Sequence, residues 1–150
     1  NPAPAERAAI ESIVAELAAS AQVTIVLGNH DRALERDFPS LPAEICRAWT
    51  APGGDLVAVH GDREVPATPH AVIGHLHPAL SVVDHAGASH RMPVFVAGPQ
   101  LTLLPAFSPF AAGCDIRDGI PLPITGARVA VTSGRRVVDL GPLARVVSQA

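Results

Sequence analysis

Three short stretches carry residue types that do metal-assisted chemistry: Gly28-Asn29-His30-Asp31, His60-Gly61-Asp62 and Gly74-His75-Leu76-His77-Pro78. Neutral imidazole and an amide oxygen are donors suited to a borderline divalent ion such as manganese, iron or zinc. The candidate ligands are Asn29, His60, His75 and His77. The stretches differ in weight. With seven histidines in 150 residues, a His-x-His pair arises readily by chance. Gly-Asn-His-Asp is rarer, because Asn29 is one of only two asparagines, the other being Asn1. The joint pattern outweighs its parts, since each cluster follows an apolar, β-branched run.

Those runs are the elements that must position the chemistry. Residues 23–27, 56–59 and 71–73 read as buried strands without alternation, as in a parallel sheet covered on both faces. Strand ends are where open α/β sheets place their sites. Gly28, Gly61 and Gly74 are expected to let the backbone turn sharply there. Residues 4–19 predict an amphipathic helix with Ile10, Ile13, Val14, Leu17 and Ala18 on the face that covers a sheet. Pro2 and Pro4 suit its first turn and Asn1 its cap. Residues 33–37 read as a helical turn, and 41–49 fit helix or strand. The second half predicts short strands at 80–84, 92–97, 101–104, 127–132 and 136–140, with hairpins at 94–100 and around Ser133-Gly134-Arg135. Pro105 to Gly119 reads as a long loop in which Phe107 and Phe110 wall either a groove or a core.

Several residues have plain alternatives. His30 fits a turn and His60 the cap of a core strand. Asp62 fits either a turn or a hydrogen bond to a ligand histidine. His70, His85 and His90 are expected in solvated loops, Trp49 in the core or an interface, and Arg135-Arg136 at a solvated hairpin tip.

Composition excludes some classes. The chain is 48% apolar, which argues against disorder, and its formal charge is −3 with 11 arginines and no lysine. Charge alone therefore does not predict strong nonspecific nucleic-acid binding. No run reaches the roughly 18 apolar residues of a membrane span. Cys46 and Cys114 stand in no metal spacing and fit buried thiols in a reducing, cytoplasmic compartment. One domain is expected from the length.

Gly-Asn-His-Asp, then an apolar strand into His-Gly-Asp, then Gly-His-Leu-His-Pro resembles the calcineurin-like metallophosphoesterases. With Leu104-Pro105-Ala106-Phe107-Ser108-Pro109-Phe110 and Gly113, it looks most like a bacterial and archaeal branch associated with a DNA ligase and a helicase in the DNA-damage response. The resemblance spans roughly residues 10 to 140. It implies an α/β four-layer αββα sandwich of mixed sheets and two divalent metal ions, manganese first with iron or zinc as alternatives. The implied activity is hydrolysis of phosphomonoesters or phosphodiesters, with a nuclease in DNA repair as the branch expectation and DNA as the expected substrate. Asn29, His60 and His75 would bind the second metal and His77 the first. His30 would sit beside the scissile phosphate, Asp31 would orient it, and Arg32 would contact phosphate.

The family pattern opens with Asp-x-His and Gly-Asp motifs that supply the bridging carboxylate. The chain has neither before its first helix, so the first metal keeps only His77. The expectation is a fragment lacking its first strands, inactive and aggregation-prone alone. The alternative is a catalytically incomplete homologue acting as a protein-interaction scaffold.

Overall fold

The first helix is held down by few of its residues. In the computed structural model, which describes residues 3–67, 70–108, 111, 113–132 and 136–148, α1 spans Pro4–Ala18, with Ala3 as its cap. The Glu6 carboxylate accepts from the Ala3 amide at 2.8 Å. The Asn1 cap, Pro2, Pro109, Phe110 and the turn at Ser133-Gly134-Arg135 lie outside the described residues. Only Val14 of α1 is buried, whereas Ile13 is 58% and Leu17 55% exposed. The expectation that this apolar face covers a sheet is therefore corrected. Arg7 makes the contact instead. Its guanidinium lies 4.9 Å from the centroid of the buried Phe38 ring and donates to the Asp37 carbonyl. Asp37 ends the short helix α2, Leu34–Asp37.

Among the described residues eleven strands follow one another through two sheets. A small one pairs β1 (Thr24–Val26) with β2 (Glu44–Cys46) in parallel. The main sheet takes β3 (Ala48–Thr50), β4 (Leu56–Val59), β5 (His70–Ile73), β6 (Pro78–Val83), β7 (Ser89–Ala97), β8 (Leu101–Leu103), β9 (Cys114–Asp115), β10 (Arg128–Thr132) and β11 (Val137–Pro142). Its path runs β11-β10-β7-β8-β5-β4-β3. The neighbours β4, β5 and β8 are mutually parallel, and the other pairs on this path are antiparallel.

The residues 41–49 resolve as two short strands joined through Arg47, which carries the chain from the small sheet to the edge of the large one. Strand β1 is only half-buried and has one partner among the described residues, so its unbroken apolar run does not mark a fully covered strand.

Strand β7 is longer than periodicity suggests. Its first half, Ser89 to Pro93, pairs with β6, and its second half pairs with β10 and β8. Pro93 stands at the changeover, where a residue without an N–H fits best. The β6 end is extended by β9, inside the expected loop Pro105 to Gly119. The 3-10 turn Ile116–Asp118 follows it. The core lies between these two arms. Leu80 and Ile116 come from the β6–β9 side, and Val57, Ile73, Val94, Val96, Leu103 and Val129 from the main sheet. A last helix, α3 (Leu143–Ser148), sets Leu143 and Val146 against this core.

Candidate metal centre at the strand ends

Because β4 and β5 are parallel and in register, Val59 beside Ile73, the residues that follow them emerge on the same edge. The backbone reinforces this. The His60 carbonyl accepts from both the Gly74 and His75 amides, at 3.1 and 2.9 Å. His60 and His75 thus leave the sheet side by side, their rings edge to face with centroids 5.0 Å apart. His75 Nδ1 lies 3.1 Å from His60 Nε2, and His60 Nε2 lies 3.0 Å from Asn29 Oδ1. Three donor atoms drawn from three strand ends therefore face one another.

Asn29 is delivered by β1. Asp31 shapes its turn: the carboxylate Oδ2 reaches back three residues to accept from the Gly28 amide at 2.9 Å. Among the described residues that carboxylate has no hydrogen bond to His30, whose side chain is exposed. Gly28 matters for space rather than for turning. A Cβ there would lie 2.7–2.8 Å from the His60 ring, so only glycine lets β1 approach. Of the other two glycines, Gly61 adopts φ +98°, whereas Gly74 is not left-handed. In the Gly-His-Leu-His-Pro stretch the left-handed residue is His77, at φ +47°.

His77 faces a different space. It lines a cleft of about 420 Å3 together with Pro78, Arg91, Pro93, Phe107 and Gly113. Gly113 is pressed against it, since a Cβ there would meet the His77 carbonyl at 2.2 Å. Phe107 is fully exposed beside this cleft, so it is not part of a core. Arg91 closes one side by donating to the Gly113 carbonyl at 2.7 Å.

Burial pushes the His60 imidazole below the usual histidine range. His75 and His77 add to the push, while Asp62 and Asp31 oppose it. A neutral imidazole is the form a metal ligand needs. The donor set of Asn29, His60 and His75 therefore fits one divalent ion in chemistry and in convergence. Among the described residues no group of three or more His, Cys, Asp or Glu is arranged to hold a metal, so the set is two imidazoles and one amide.

The remaining sequence candidates sort clearly. Asp62 sits beside Arg63, 4.0 Å away, and makes no hydrogen bond to a histidine among the described residues. His70 is not in a loop. It opens β5 and ties β8 to it, Nδ1 facing the Pro99 carbonyl at 3.2 Å and Nε2 the Thr102 hydroxyl at 2.8 Å. His90 closes the β6–β7 hairpin on Asp84 at 2.7 Å. Cys46 and Cys114 are both free thiols. Sequence reasoning passed over Arg47 and Arg63, which with Arg32, Asp62, Asn29 and Gly28 line a second recess of about 330 Å3. Their signal was weak, because nothing in the spacing of Arg32, Arg47 and Arg63 shows that they converge.

Among the described residues no helix is long and apolar enough to cross a membrane. No family model matches the chain, and no curated protein matches it. The chain is similar to the crystal structure of the Pseudomonas putida nuclease MPE, with a TM-score of 0.68 and 28% sequence identity. The match covers 92% of this chain and 63% of that nuclease. The mixed main sheet with its few helices is a metallophosphoesterase-like α/β sandwich, and the candidate metal centre sits at the carboxyl edge of its parallel strands.

Proposed function

We propose that this chain is the body of a metal-dependent phosphoesterase that cleaves phosphodiesters of nucleic acid, with manganese as the preferred ion and iron or zinc as substitutes. The observation that carries the reading is that His60 Nε2 lies against both Asn29 Oδ1, at 3.0 Å, and His75 Nδ1, at 3.1 Å. Two imidazoles and an amide oxygen packed this closely, with burial pushing the His60 imidazole below its usual range, favour a cation among them. The similarity to a nuclease supports the substrate class.

The roles divide as follows. Asn29, His60 and His75 hold one ion, and His77 offers a donor toward the neighbouring position. When bound, divalent ions supply a nucleophilic hydroxide and neutralise phosphate charge. His30, exposed at the end of the β1 turn, donates a hydrogen bond or proton to a phosphate oxygen. Asp31 acts on His30 by fixing the turn through the Gly28 amide. Association with a DNA ligase and a helicase belongs to the same reading.

The test pairs binding with turnover. Manganese titrated into the purified protein and followed by electron paramagnetic resonance is expected to bind, and His75→Ala to weaken it at least tenfold, as losing a ligand should exceed losing its support. Manganese-stimulated hydrolysis of bis-p-nitrophenyl phosphate by the full-length protein should fall with it. Tight binding unaffected by His75→Ala would overturn the assignment. A scaffold is the second reading, favoured by the absence of a larger ligand cluster among the described residues. It requires that the full-length protein show no manganese-stimulated hydrolysis.

A further inference from the structure

Arg32, Arg47 and Arg63 come from three separate loops: the β1 turn, the β2–β3 crossing and the turn after β4. They meet in one recess of about 330 Å3, whose other walls are Gly28, Asn29 and Asp62. Among the described residues its walls carry no aliphatic or aromatic side chain. A base or an acyl chain would find nothing to bury against, whereas a hydrated anion finds three guanidinium groups. Arg63 is 4.0 Å from Asp62, at the limit of an ion pair. Arg32 and Arg47 have no ion pair among the described residues. Three arginines facing a single carboxylate make a positive spot in a chain whose formal charge is −3.

Asn29 belongs both to this recess and to the donor set with His60 and His75. An anion held by the arginines therefore lies next to the candidate metal centre without sitting in it. The recess is small, near the lower end of the roughly 300–1,000 Å3 range of ligand pockets. It suits one phosphate group.

We infer that the recess formed by Arg32, Arg47 and Arg63 beside Asn29 is a subsite for a flanking backbone phosphate of a nucleic-acid strand, one linkage away from the phosphate presented to the metal centre. This inference deepens the phosphoesterase reading and rests on it for the word flanking. It separates two substrate classes. A chain of phosphodiesters engages the recess, while an ester with a single phosphate leaves it empty.

Binding tests it independently of turnover. The probe is a fluorescent single-stranded oligonucleotide, followed by anisotropy across a salt series with calcium in place of manganese. Each lost phosphate contact is expected to flatten the plot of log affinity against log salt by about 0.7. Arg47→Ala and Arg63→Ala should each do so and weaken binding several-fold at low salt. Arg36→Ala, in α2 and paired with Asp37 at 3.0 Å, is the control that changes neither. An oligonucleotide carrying one neutral methylphosphonate beside the cleavage position should lose affinity for the wild type but not, further, for Arg47→Ala.

In turnover, the variants should raise KM for the oligonucleotide more than they slow hydrolysis of bis-p-nitrophenyl phosphate. Unchanged salt slopes in both variants would overturn the subsite, as would equal losses on the two substrates. Arginine-dependent slopes in a protein without manganese-stimulated hydrolysis would sink the phosphoesterase reading and leave an anion-binding recess. Competition by inorganic phosphate as strong as that by the oligonucleotide would reassign the recess to the free anion.

Discussion

A methyl group at position 28 has nowhere to go, because the His60 ring already stands 2.7–2.8 Å from where it would be. Gly28→Ala must move that ring, and the ring carries the contacts to Asn29 and His75. The expected stability loss is about 1–3 kcal/mol, the usual cost of overpacking, read from urea midpoints. Manganese affinity should fall further than stability, since the donors separate even if the chain stays folded. His60 also gives the protein an acid-sensitive component. Its folded-state pKa lies below that of a free imidazole, about 6.5. The unfolded chain therefore takes up the proton first. The His60 contribution is complete above the free value and is lost as the pH drops through the folded one. Urea midpoints compared at about pH 7.5 and about pH 5 should show that loss, and His60→Gln should reduce it. The grouping of Asn29, His60 and His75 was legible because rare, chemically distinct residues followed apolar runs, whereas nothing in the sequence showed that His77 lines a separate cleft. The arginine recess was not, because its members are common surface residues brought together from three separate loops.

At the scale of elements, the strands carrying the site were readable and their environments were not. Leu56–Val59 and His70–Ile73 are short apolar runs bounded by turn residues, and sequence delimits such runs well. The same logic misjudged β1, since five apolar residues in a row do not report how many partners a strand has. Strand β9 escaped because two residues make a strand only through their neighbour, here Pro78 and Ala79 of β6. The Asp115–Arg117 pair that anchors it had a local sign. Asp115 Oδ1 accepts from the Arg117 amide two residues on, at 3.0 Å. The Arg117 guanidinium then grips the same carboxylate at 3.0 and 3.1 Å, and the Ser81 amide donates to it at 3.2 Å. Chiefly through Arg117, this holds the buried Asp115 carboxyl far below the usual carboxylate range. Asp115→Asn is expected to cost about 1.5–3 kcal/mol, as for hydrogen bonds to a charged group. A depressed carboxylate stabilises the fold above its unfolded pKa and stops doing so on acidification. The difference between wild type and Asp115→Asn should therefore shrink as the pH is lowered below about 4.

Over the whole molecule, the core is framed by one strand. β7 pairs with β6 through its first half and with β8 and β10 through its second, so the two arms of the sheet share a backbone. The small β1–β2 sheet lies outside that frame. Its hydrogen bonds include Leu27 N to the Cys46 carbonyl at 2.8 Å and Glu44 N to the Val23 carbonyl at 2.9 Å. Its helix α1 rests largely on Arg7 and Phe38. The candidate centre straddles the boundary, with His60 and His75 on the framed sheet and Asn29 on the unframed one. That division has a dynamic consequence. Proteins open in cooperative units of unequal free energy, and here the donors of one ion belong to two of them. The unit holding Asn29 can open while the histidines stay in place, so a cation acts as a clasp between units that exchange hydrogen at different rates. Manganese should slow amide exchange at Leu27 and Glu44 much more than at Val94 or Val96, both fully buried in the core. Equal slowing at all four amides would mean that the two sheets already open as one.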